Sequence, residues 1–281
     1  MPHQGAPASS DQARAVVLRV VTALESIAGL ERIWRRGVVH RGGPHYRLAG
    51  TTGPVSIGED ECLILGCLIS RFRPARCFII GNGFGFSSAF IAKMMEANGG
   101  VSVVTLDNMA EGDGRRCFET AAQLRSRLDC RILHSKVGVS PQDIDSAAGP
   151  FTYDLILIDG DHAHPQVIND FRGVQHLVGS RTILCWHDYW LPGVFESVAE
   201  AQRVGYRCLK VNSSCELAFG TREVEVFREI GLLFGDAEPP TRRSHPLARL
   251  MLTRSFIWGA IKAQLARRPR HSSRLRPGRS S

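Results

Sequence analysis

From residue 77 to residue 186 the chain switches repeatedly between apolar runs of strand length and segments long enough for helices. The runs are Cys77–Ile80, Val101–Leu106, Cys130–Leu133, Tyr153–Ile158 and Thr182–Trp186, and the segments between them are 86–97, 115–128, 141–147 and 164–178. Strands that are apolar throughout are buried on both faces, and intervening helices bring successive strands back parallel. The fold class this implies is α/β, a doubly wound, mostly parallel sheet. Flanking elements extend the pattern. Ser10-Asp11 caps a helix with Val16, Val17, Val20, Val21, Leu24 and Ile27 at helical spacing. A second N-terminal helix over about 59–72 opens on Glu59-Asp60-Glu61, where acidic groups suit the helix dipole, and stops before Pro74. The glycine-rich stretch 38–58 reads as a loop with a short hairpin, 194–204 as a helix, and Tyr206–Val211 and Glu216–Gly220 as closing strands.

Charge is distributed unevenly. The chain has 281 residues and a formal charge of +8, with 35 basic and 27 acidic groups. Residues 241–281 hold 11 of the basic groups and none of the acidic ones, which leaves 24 against 27 in the first 240. A mildly acidic body does not present the positive face of a nucleic-acid binder, so no nucleic-acid partner is expected. The organisation that follows is an N-terminal helical and loop segment (1–58), an α/β domain (59–235), and a C-terminal extension (236–281) with a linker, a basic amphipathic helix and an Arg/Ser/Pro-rich end. Leu247, Leu250, Met251, Ile257, Trp258, Ile261 and Leu265 form that helix's apolar stripe, broken by Arg254. Two partners suit it: the body or a second copy of the chain, which the broken stripe favours, and an anionic membrane surface. No apolar run reaches the ~18 residues of a membrane span. Met1–Ser10 lacks the basic start and apolar stretch of a secretory signal, and eight cysteines lie in apolar segments without a CxxC pair. The expected location is cytoplasmic, with reduced thiols.

The first strand runs straight into Gly81-Asn82-Gly83-Phe84-Gly85 and then a helix. Glycines at such a turn let a ligand approach the backbone, and the helix N-terminus offers free amides. The dinucleotide pattern G-x-G-x-x-G needs a glycine where this chain has Phe86, which argues against NAD(P). The second strand ends at Asp107-Asn108, 26 residues beyond Gly81. A carboxylate at that strand tip is placed to accept the hydrogen bonds of a ribose diol. With these features the chain resembles the class I S-adenosylmethionine-dependent methyltransferases, nearest to the small-molecule O-methyltransferase branch (catechol and macrocin O-methyltransferase-like), over roughly residues 56–222. The resemblance implies a Rossmann-like methyltransferase fold. It also implies a cofactor site at Gly81, Asn82, Gly83, Gly85, Asp107 and Asn108, with the three glycines along the methionine end. Ile79 departs from the pattern, since many members carry an acidic residue there.

Two further strand ends carry chemistry. The fourth runs into Asp159-Gly160-Asp161-His162-Ala163-His164, and the fifth into His187-Asp188-Tyr189-Trp190. Strand C-termini of an open parallel sheet share one edge, so these groups converge although Asp159 and Asp188 are 29 positions apart. Carboxylates alone favour Mg²⁺, while an imidazole shifts preference towards Mn²⁺, Fe²⁺ or Zn²⁺. The resemblance nominates Asp159, His187 and Asp188 as metal ligands, with His187 standing where an acid is usual. Asp159 and His162 are the catalytic candidates, His162 as a base near neutrality. His164 reads as an ordinary loop histidine.

The function implied is S-adenosyl-L-methionine-dependent methyl transfer to the hydroxyl of a small molecule or sugar, assisted by a divalent metal. Two alternatives remain open on the same residues: a metal-dependent hydroxylase or hydrolase on this fold, and a non-catalytic cofactor-binding protein.

Overall fold

A computed structural model describes residues 10–28, 30–33, 45–48, 57–83, 85–107, 129–134 and 140–235. The expected helix over 115–128, Asn108, most of the 38–58 loop and the whole 236–281 extension lie outside the described residues. Helix α1 (Ser10–Ala28) leads into strand β1 (Leu30–Ile33), which pairs antiparallel with β2 (His45–Leu48). The expected hairpin therefore exists, but its first strand lies upstream of the glycine-rich stretch. Four residues, Leu-Glu-Arg-Ile, are too few to show a strand period.

Helix α2 (Glu59–Phe72) starts where its acidic turn predicts. Gly58 N donates to the Glu61 carboxylate at 2.8 Å, which satisfies an amide at the helix start. Arg73, in the left-handed conformation, ends the helix ahead of Pro74. The alternating region follows as β3 (Arg76–Ile80), α3 (Phe86–Ala97), β4 (Ser102–Asp107), β5 (Asp129–His134), α4 (Pro141–Ala148), β6 (Tyr153–Ile158), α5 (Gln166–Gly173), β7 (Val178–Trp186), α6 (Pro192–Arg203), β8 (Arg207–Val211), β9 (Leu217–Thr221) and α7 (Val224–Leu233).

The seven strands lie in the order β5-β4-β3-β6-β7-β9-β8. All neighbours are parallel except β9, which runs antiparallel to β7 and to β8. This is the doubly wound, mostly parallel sheet that the apolar runs imply. Three elements differ from expectation. The segment 164–178 divides into α5 and a 3₁₀ turn at Gln175–Leu177, β7 reaches back to Val178, and α7 has no counterpart in the sequence reading.

Alternation along the strands separates two cores. Cys77 and Ile79 of β3, with Leu155, Leu157, Ile183 and Cys185, face α1, α2, α3 and α7. Phe78 and Ile80, with Ile156, Ile158, Leu184 and Trp186, face α4, α5 and α6. A two-residue period thus buries both faces of the sheet. With helices on both faces, the strand ends are the edge at which a sheet of this kind receives ligands. Among the described residues no helix is long and apolar enough to cross a membrane, and six cysteines are free thiols.

Candidate active site

Register brings the candidate residues together. Ile80 lies opposite both Leu106 and Ile158, and Ile158 lies opposite Trp186. The residues that follow, Gly81, Asp107, Asp159 and His187, emerge side by side. Backbone bonds continue the ladder one step past the strands: Asp159 N donates to Ile80 O at 2.8 Å, and His187 N to Ile158 O at 3.2 Å.

At the glycine turn, Gly81 has φ +92° and Gly85, which precedes α3, has φ +82°. A Cβ on Gly81 would overlap the carbonyl oxygen of Asp159, so two strand ends touch here through bare backbone. Asp107 accepts from the amides of the turn, with its Oδ2 at 2.5 Å from Asn82 N and 3.0 Å from Gly83 N. The carboxylate expected to face a ribose therefore also shapes the loop. Asn82 is 3% exposed, and neither its side-chain nitrogen nor its oxygen has a hydrogen-bond partner. Buried amides are normally paired, so an orphaned one beside a glycine turn marks a place for a polar ligand. Phe86, which replaces the dinucleotide glycine, is buried beneath the first turn of α3. Ile79 is fully buried in the core on the α3 side, so no carboxylate at that position is needed to keep the turn in shape.

The second cluster is built around His187, whose side chain is 7% exposed. Its Nδ1 is 2.8 Å from Asp159 Oδ1 and 3.3 Å from Asp188 Oδ2, yet it makes no properly directed hydrogen bond. His162 Nε2 sits 3.6 Å from each of the same two oxygens, too far to bond to either, and is likewise unpaired. One donor atom from each of Asp159, His162, His187 and Asp188 lies within 4.8 Å of all the others. Two unpaired imidazole nitrogens converging with oxygens of two carboxylates fit a divalent cation. Asp188 adopts a left-handed backbone, φ +55°, and Trp190 Nε1 donates to its Oδ1 at 2.8 Å. Asp and Asn tolerate that conformation better than most residues.

The charges reinforce one another. Burial draws the pKa of His187 down, but Asp159, Asp188 and Glu61 outweigh it and raise the pKa well above the usual value. Burial pushes Asp159 and Asp188 up, and His187 then pulls both below the ordinary carboxylate range. His162 is raised too, because Asp159 and Asp188 overcome its burial. The three carboxylates thus favour positive charge at His187.

Two candidates separate from the cluster. Asp161 Oδ1 accepts from Ala163 N at 2.9 Å within its own turn, and His164 points to Glu196 at 3.4 Å with its side chain 56% exposed. Sequence reasoning missed Glu61, which is fully buried and 3.2 Å from His187 Nε2. As a first-turn acid of α2 it carries no spacing signal that links it to strand ends far along the chain. Asp170, buried on α5, was missed as well. Its pKa is pushed up to about 7 by burial and by Asp161.

Residues 78–189 match a family model described as a methyltransferase domain, a span that runs from within β3 to just past Asp188. Solved structures are similar over most of their length. An O-methyltransferase from Bacillus cereus in complex with SAH is 12% identical, covering 77% of this chain and 92% of its own, with a TM-score of 0.47. The SAH-bound methyltransferase PaMTH1 from Podospora anserina is 11% identical, covering 79% and 97%, with a TM-score of 0.48. The O-methyltransferase TomG from Streptomyces achromogenes, in complex with SAM, is 13% identical, covering 60% and 82%, with a TM-score of 0.45. No curated protein sequence matches the chain.

Proposed function

We propose, for a chain whose residues 78–189 match a methyltransferase-domain model, that it transfers a methyl group from S-adenosyl-L-methionine to a hydroxyl of a small molecule or sugar with the help of a divalent cation. The observation that carries the reading is the direct backbone contact between Gly81 and Asp159, which makes the glycine turn and the acid–histidine cluster one continuous edge. A methyl donor held by the first and an acceptor oxygen held by the second would be neighbours.

Bound S-adenosyl-L-methionine supplies an activated methyl group, and a bound cation supplies a positive charge that acidifies an acceptor hydroxyl. Gly81, Gly83 and Gly85 give the methionine end close access to backbone, and the orphaned amide of Asn82 gains partners there. Asp107 holds the ribose while keeping the turn in shape, and Asn108, its neighbour in sequence, is assigned to the same site. Asp159, His187 and Asp188 are the cation ligands, and the imidazole favours Mn²⁺, Fe²⁺ or Zn²⁺ over Mg²⁺. His162, at 28% the most exposed side chain of the four, is assigned as the base for the hydroxyl proton, a role open to it once a cation's charge offsets the two carboxylates that raise its pKa. Most of the rate enhancement in such a site comes from orientation. We place the protein in the cytoplasm, and we assign the basic 236–281 extension to contact with a membrane surface or with a second copy of the chain.

The experiment is methyl transfer from isotopically labelled S-adenosyl-L-methionine to a panel of hydroxyl compounds, run beside calorimetric binding of the cofactor. Transfer that needs a divalent ion and is lost in Asp159→Asn supports the reading. No cofactor binding by the wild-type chain rejects it, and tight binding without transfer across the panel turns the assignment to a non-catalytic binding protein.

A further inference from the structure

We propose that Glu61 is the positioning residue of the cation site, holding the His187 ring so that Nδ1 faces Asp159 and Asp188; this rests on the cation assignment above. Glu61 is fully buried, and its carboxylate is surrounded by donors. Oε2 accepts from Gly58 N at 2.8 Å and lies 3.2 Å from His187 Nε2. Oε1 accepts from Ser213 Oγ at 2.9 Å and from Cys215 N at 3.0 Å. Two oxygens have about four lone-pair sites, and four partners fill them.

The carboxylate is clamped from the start of α2 and from the loop before β9, so it cannot swing away from the ring. An ionised carboxylate can only accept, which keeps the ring hydrogen on Nε2. A neutral imidazole has one N–H, and fixing it at Nε2 leaves the Nδ1 lone pair for the cation. Nδ1 is the unpaired nitrogen among the acidic oxygens. Glu61, His187 and Cys215 also form a group compact enough to hold an ion. However, the Glu61 oxygens are already spent on backbone and hydroxyl donors, and burial pushes the Cys215 thiol up to about 12. That trio anchors the ring and is not a second ligand set.

The test uses the full chain and Mn²⁺ as the probe, with free ion followed by electron paramagnetic resonance. Glu61→Gln is expected to weaken Mn²⁺ binding by about 10- to 100-fold, the usual cost of removing a carboxylate behind a ligating histidine. Calorimetric S-adenosyl-L-methionine binding and far-ultraviolet dichroism should stay unchanged. In a His187→Asn background the same substitution should change Mn²⁺ affinity no further, because Glu61 acts through that ring; an equal further loss overturns the proposal. Nitrogen-15 spectra of the Zn²⁺-loaded wild-type chain give a readout that needs no variant: hydrogen on Nε2 of His187 and metal on Nδ1 is expected, and the opposite arrangement overturns the proposal. A wild-type chain that binds neither Mn²⁺ nor Zn²⁺ rejects the cation assignment itself. Normal wild-type binding with an unaffected Glu61→Gln rejects only the role of Glu61.

Discussion

Asn82 donates its backbone N–H to Asp107 Oδ2 at 2.5 Å, so the loop after β3 is tied to the tip of β4 by a charged acceptor. Asp107→Asn keeps an oxygen that can serve the amides of Asn82 and Gly83 but removes the charge. Charge-assisted bonds contribute roughly 1.5–3 kcal/mol. Cofactor affinity should therefore fall on the order of 10- to 100-fold in a calorimetric titration, with a small drop in melting temperature. Unchanged affinity would make Asp107 a loop anchor with no part in binding.

Asn82→Ala separates binding from stability. The side-chain amide is buried without partners, so truncating it breaks no hydrogen bond in the free protein. Leaving such a group buried and unpaired costs about 1–3 kcal/mol. The melting temperature of the ligand-free variant should stay level or rise, while cofactor binding weakens. A clear loss of stability would show that the amide is already satisfied.

Gly81→Ala should be severe. The added methyl would overlap the Asp159 carbonyl, and φ +92° disfavours any L side chain. Neither backbone can yield without breaking the ladder between β3 and β6. A cost of roughly 3 kcal/mol or more is expected, from strain and overpacking together. Urea denaturation checks it, and a near-neutral result would mean that the strand ends separate easily.

Asp170 offers a pH test at a carboxyl outside the Asp159–His162–His187–Asp188 cluster. Its carboxyl ionises near 3.8 without burial and near 7 in the fold, where Gln166 Nε2 donates to Oδ1 at 2.7 Å. Between those values the folded state holds a proton that the unfolded chain has released, so this group makes stability fall as pH rises. Asn has no proton to lose and still accepts from Gln166. Asp170→Asn should raise the melting temperature relative to wild type at about pH 8, with most of that gain gone by about pH 4. A gain independent of pH would mean that Asp170 is not held neutral.

The parallel sheet was legible because its strands are apolar on both faces, as in Tyr153–Ile158, whose bounds agree between sequence and structure. The edge was legible for the same reason: polar residues begin where the apolar runs stop, at Asp107, Asp159 and His187. Glu61 was hidden because its partner sits on another element and only folding joins them. Helix α7 carried a usable signal in Val226, Phe227 and Ile230, with Glu223 accepting from Glu225 N at its start. Those positions follow directly on a strand, and a helical period this short does not stand out there. The role of Asn82 was open to sequence only as a position in the turn; its unpaired state is a property of packing.

Strand β8 precedes β9 in the chain but lies beyond it in the sheet, and β9 is its sole neighbour among the described strands. A ribosome therefore releases residues 207–211 before the strand that can hold them. The sheet must stay open on that side until Leu217–Thr221 slots in next to β7. Ser213 and Cys215, which clamp Glu61, sit in the hairpin that this insertion closes. If Glu61 orients the His187 ring as proposed above, that orientation waits until β9 is seated, and a half-made chain would lack it.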